Sequence, residues 1–140
     1  MYFFLLGTCS FLKYNSASLK KEETFVALVL CTGVDPVLLE TRKLILQHAG
    51  HKVITTRSEP ELTAACEKHT FDVAVIGQTI TPRMKKVIST LVRQHCPSAK
   101  ILELYSPHLG KALDDADSWL EVPAAIPRDL AEKVDELAKA

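Results

Sequence analysis

The stretch that most restricts the fold is Phe71–Pro82, FDVAVIGQTITP. Val73, Ala74, Val75 and Ile76 run without a polar interruption and stop at Gly77. An apolar run of this length, closed by a turn residue, reads as a strand covered on both faces. A helical pattern begins at Pro82 and runs to Cys96. Met84, Val87, Ile88, Leu91 and Val92 share one side of it, and Arg83, Lys86, Thr90 and Arg93 share the other. A doubly covered strand leading into an amphipathic helix is the unit of a parallel α/β sheet.

The rest of the chain repeats that unit. Phe25–Thr32 is an apolar run of strand length, and Asp35-Pro36 then supplies a helix cap and a first-turn proline. Val37–Ala49 is helical in spacing, with Leu38, Leu39, Ile45, Leu46 and Ala49 inward, and Gly50 stops it. Residues 52–56 form a second strand. Ser58 caps a second helix, with Pro60 and Glu61 in its first turn, Leu62, Ala65 and Cys66 inward, and an end near His69. Lys100–Tyr105 is a fourth strand, and Ser118–Val122 a short fifth one near an edge. Between them at most one short helix fits, around Leu109–Asp115. Pro127–Lys139 is the closing helix, with Leu130, Val134 and Leu137 inward. Five strands alternating with helices predict a flavodoxin-like, doubly wound three-layer sandwich, a five-stranded parallel sheet in the order 2-1-3-4-5. Right-handed crossovers then place Gly33-Val34, Gly77-Gln78 and Tyr105-Ser106 on one rim, at the carboxyl ends of the strands.

Length and composition narrow the function. The chain has 140 residues, 17 basic and 17 acidic, which suits one domain. Balanced charge gives no footprint for nucleic acid. Met1–Leu12 is apolar but too short to span a bilayer, and its first basic residue is Lys13, so it lacks the basic start of a signal peptide. Residues 1–24 read as a disordered extension, the folded domain as 25–140, and the location as cytoplasmic; export or anchoring through the apolar start is the alternative. The four cysteines, Cys9, Cys31, Cys66 and Cys96, form no CxxC pair and read as free thiols of a reduced compartment. His48 and His51 have Gly50 between them and do not make a zinc site. The glycine pattern after the first strand fits no nucleotide-binding motif.

Three segments carry a resemblance: DPVLLETRKLILQHAGHKV (Asp35–Val53), FDVAVIG followed by Pro82, and SWLEVP before the closing helix. Over Val26–Ala138 the chain resembles the receiver domain of bacterial response regulators. The resemblance implies a role in two-component or phosphorelay signalling. It also locates the residues on which the family's chemistry depends. The positions of the metal-binding acidic pair are Gly33 and Val34, and that of the phosphoacceptor aspartate is Gly77. Asp35 stands where the family has a further, helix-capping aspartate. The switch rim falls on Tyr105 and Ser106, and the lysine before a proline is matched by Val122 before Pro123. Glycine offers no nucleophile, and Gly33 and Val34 offer magnesium no side-chain oxygens. The expectation is a degenerate receiver that is not an enzyme, takes no cofactor and no metal, and binds a protein partner without phosphorylation. By family habit the partner, or a second copy, docks on the helix 4–strand 5–helix 5 side, where Trp119 is the largest apolar group; a buried Trp119 is the other reading. The basic face of the third helix (Arg83, Lys85, Lys86, Arg93) is a further candidate surface. The alternatives are a receiver-like switch set by another ligand or modification at the rim, and a small thiol enzyme using Cys31.

Overall fold

The computed structural model describes residues 26–123 and 128–140. The expected extension, residues 1–24, lies outside the described residues, as do Phe25 and Pro127. Five strands, β1 (Leu28–Thr32), β2 (Lys52–Thr56), β3 (Val73–Ile76), β4 (Lys100–Tyr105) and β5 (Ser118–Glu121), form one parallel sheet in the order β2-β1-β3-β4-β5. Four helices connect or close them: α1 (Pro36–His48), α2 (Glu59–Lys68), α3 (Pro82–His95) and α4 (Arg128–Lys139). The expected sheet order is the observed one.

Strand alternation divides the core in two. Leu30, Ala74, Ile76 and Ile101 face α2 and α3, with Leu62, Phe71, Ile88 and Val92. Val29, Cys31, Val73, Val75, Leu102 and Leu104 face α1 and α4, with Leu39, Leu46, Leu130 and Val134. All four residues of β3 are buried, as its unbroken apolar run requires. Two caps act as the sequence predicts: Asp35 Oδ1 accepts from the N–H groups of Val37 and Leu38, and Ser58 Oγ from that of Glu61. A third, Thr81, caps α3 by accepting from the Met84 N–H at Oγ1. Gly50, at φ 97°, turns the chain out of α1 in a conformation that favours glycine. His51 then fastens the residue before β1 to α4. The Ala27 N–H donates to its Nδ1 at 3.0 Å, which leaves Nε2 as the donor to Asp135 Oδ1 at 2.6 Å.

Two expectations are corrected here. No regular helix forms between β4 and β5. That segment turns at Ser106–Gly110 and then runs irregularly, and its Ala112 and Leu113 N–H groups donate to Glu103 rather than to carbonyls four residues back. Cys66 and Cys96 are joined in a disulfide, with Cα atoms 5.6 Å apart, rather than free. The packing of α2 on α3 brings them together across 30 residues of sequence. Among the described residues Cys31 is the free cysteine.

Candidate functional site

The carboxyl ends of the strands bring the expected rim together. The Gly77 N–H donates to Thr32 O at 3.0 Å, so the turns after β1 and β3 lie side by side, and the Gly33 N–H donates to Thr56 O at 3.2 Å, which ties the turn after β1 to the end of β2. At the other end of the rim the Val122 N–H donates to Tyr105 O at 2.9 Å. Val122 is buried and Tyr105 half-buried. Ser106 is a turn residue whose carbonyl accepts from the Leu109 and Gly110 N–H groups. The Val122–Pro123 peptide bond is cis.

At the centre of this rim lies a residue the sequence reading missed. Arg42 projects from α1, is only 8% exposed, and donates from Nη2 to Gln78 Oε1. Its Nη1 is 3.1 Å from the point a Cβ on Gly77 would occupy, and Thr32 O is 3.3 Å from it. The absence of a side chain at residue 77 is what admits the guanidinium. Burial pushes the Arg42 pKa below its usual range, while Cys31 and then Asp35 act in the opposite direction. The signal was present in the helical spacing: Leu39, Arg42 and Leu46 lie three and four residues apart on one inward face of α1. Asp35, whose charge acts on this cation, is occupied as a helix cap.

The remaining candidates separate. Cys31 faces the apolar cluster under α1 and α4. Burial pushes its thiol from 9.0 up to about 12, and Arg42 offsets this only in part. A nucleophilic thiol needs the reverse shift, so Cys31 is placed as a packing residue, contrary to the thiol-enzyme alternative. A pH dependence follows. Above about pH 9 the unfolded chain releases this proton while the folded chain holds it until about 12, so folding stability falls as pH rises across that window. Urea denaturation of wild type and Cys31→Ala over the window is expected to show a steeper alkaline loss in wild type, by up to ~1.4 kcal/mol per pH unit.

The basic face of α3 is only partly free. Lys85, expected on it, is buried against β4, with Nζ 2.8 Å from Glu103 Oε2. Arg93 donates to Asp115 O at 2.8 Å and pairs with Asp117 at 3.2 Å. Arg83 and Lys86 are exposed. Trp119 lies between its two readings. It packs on the α2–α3 core, donates from Nε1 to Leu113 O at 2.9 Å, and keeps a partly exposed ring with Lys111 Nζ 4.8 Å from its centroid. Among the described residues no cluster of His, Cys, Asp and Glu has metal-binding geometry, and no helix is long and apolar enough to cross a membrane.

No protein-family model and no curated protein matches the chain. Solved structures do. The chain is 24% identical to the chemotaxis response regulator CheY4 of Vibrio cholerae, with a TM-score of 0.65 over 81% of this chain and 99% of that one. A response regulator of Thermotoga maritima, solved in complex with Mg2+ and BeF, is 20% identical, with a TM-score of 0.64 over 79% and 98%. An adenylate cyclase chain from Rhodopirellula baltica is 21% identical, with a TM-score of 0.71 over 82% and 89%. At these identities the likeness is one of fold, and that fold is the flavodoxin-like fold of response-regulator receivers.

Proposed function

We propose that this chain is a receiver-fold module that binds a protein partner in two-component signalling and does so without aspartyl phosphorylation. The observation that carries the reading is the buried Arg42 guanidinium set against Gly77. Phosphoryl transfer to a receiver needs a carboxylate nucleophile and a hard divalent cation held by oxygens. Position 77 has no side chain, Gly33 and Val34 bring no carboxylate, and a fixed cation in a low-dielectric setting opposes a second one nearby. In place of a titrated pocket the rim has an Arg42–Gln78 contact that joins α1 to the turn after β3.

The proposed partner surface is the β5 side: the turns after β4, β5 itself and α4. Leu109 is exposed there, and Trp119 with Lys111 gives a partly open aromatic face. A second copy of the chain is an alternative occupant of that side. Binding there needs no cofactor, and a cytoplasmic location fits the signalling role.

The test is titration of the full chain with magnesium and beryllofluoride, an acyl-phosphate mimic, followed by amide NMR. The expected result is no saturable shift at Gly33, Gly77 or Ser106. Saturable shifts confined to those three turns would show a working phosphoryl pocket and end the proposal.

A further inference from the structure

An open groove of about 620 Å3 lies between α2 and α3 on the outer side of that helix pair. Pro60, Thr63 and Ala64 of α2 and Met84 and Leu91 of α3 give it a mainly apolar lining. Pro60 and Ala64 are exposed, and Met84 and Leu91 are half-buried. Val87 stands between Met84 and Leu91 at three- and four-residue spacing, so it extends the same strip of α3, and it is 37% exposed. The charged residues that line the groove, Glu59 and Glu67, are both acidic and both exposed. Contiguous exposed apolar surface edged by polar groups is characteristic of docking sites.

We infer that the occupant of this groove is the chain's own Met1–Leu12, seated against α2 and α3 with Lys13 beside the acidic edge. Composition supports the match. Phe3, Phe4, Leu5, Leu6, Phe11 and Leu12 are large and apolar. An apolar cavity of about 150 Å3 takes benzene, so the groove has room for several side chains of that size. Charge supports it as well. Met1–Leu12 carries no acidic residue, and Lys13 follows it directly, opposite in sign to Glu59 and Glu67. Reach permits it. β1 and β3 are parallel and paired, so they start at the same end of the sheet, and α2 ends there too. Asp72, four residues after the last residue of α2, accepts from the Leu28 N–H at 2.9 Å through Oδ2. The described chain therefore begins beside one end of the groove. From Lys13 to Phe25 the chain can reach up to about 45 Å. The ten-residue α2 is about 15 Å long. Covalent attachment sets the local concentration of the segment on the order of millimolar, so a modest affinity fills the groove. No residue of β5 or α4 lines it, so the inference stands apart from the partner-binding reading.

The test is a nitroxide maleimide placed on the full chain at Cys9 and read by amide NMR. Cys31 is buried and Cys66 and Cys96 are bonded to each other, which leaves Cys9 as the thiol to label. The expected result is loss of amide signal at Ala64, Glu67, Met84, Val87 and Leu91, with the signals of α1 and α4 retained. Ala64→Arg changes an exposed residue to another good helix former and is expected to restore most of the signal at Met84 and Leu91. A mixture of spin-labelled chain with isotope-labelled, spin-free chain is expected to show no loss. Loss in the mixture would make the occupant a second copy's segment and overturn the inference, and so would loss spread evenly over the domain or centred on α1 and α4. A second measurement needs no label. In Phe4→Asp/Leu5→Asp the same groove amides are expected to shift, and unchanged positions there would overturn the inference.

Discussion

Replacing Lys85 with methionine is expected to destabilise the fold by about 3–5 kcal/mol, a large part of the stability of a domain this size. Lys85 reaches from α3 onto β4, where Nζ donates to Glu103 Oε2 at 2.8 Å and to Leu104 O at 2.9 Å. Glu103 is fully buried, and its carboxylate also accepts from the Ala112 and Leu113 N–H groups at 2.8 and 2.9 Å. Methionine fills similar space but leaves a buried anion with its counter-ion gone. The converse change, Glu103→Leu, strands the ammonium and orphans two backbone donors, so the segment between β4 and β5 loses its anchor. The double variant should be less destabilised than the two single losses added together, because neither charge is then left alone. Urea denaturation of the four proteins reads this directly. A loss below about 1 kcal/mol for Lys85→Met would mean that water reaches the pair and screens it.

That network also marks where the sequence stopped being legible. The strands and the first three helices follow from local signals: doubly apolar runs for β1, β3 and β4, caps at Asp35 and Ser58, and two-faced spacing from Pro82 onward for α3. The segment 106–117 does not, because its order comes from a carboxylate on β4 rather than from its own spacing. The central glutamate of KILELY was the available sign, since a charge inside a doubly buried strand requires partners. Its partner Lys85 reads as solvated when α3 is taken alone, because polar spacing does not tell a free lysine from one reaching across to another element. Arg42 fails in the same way. Its position on the inward face of α1 was readable, but its use depends on Gly77, which is 35 residues away in sequence and adjacent in space. The cysteines show the limit most plainly. Nothing in the local patterns of Cys66 and Cys96 distinguishes a bridge from two packing thiols until α2 lies on α3.

Reducing the Cys66–Cys96 bridge is expected to lower stability by about 3–4 kcal/mol, the loop-closure entropy restored to the unfolded chain when a cross-link over a loop of this length is opened. For a domain of this size that lowers Tm by about 10–15 °C. The effect should vanish in Cys66→Ala/Cys96→Ala, which starts from the reduced level, and Cys31 stays out of the exchange because its thiol is buried and its pKa is pushed up. Alkylation followed by peptide mapping separates the three sites: Cys66 and Cys96 become labelled only after reductant, and Cys31 only after unfolding. The loss should also be local in its dynamics. The bridge ties the end half of α2 to the C-cap of α3, so amide exchange in those two helices should accelerate more than in α1 and α4 across the sheet. A reductant-induced Tm change of less than about 2 °C would mean that the packing of Leu62, Phe71, Ile88 and Val92 holds α2 to α3 without the bond.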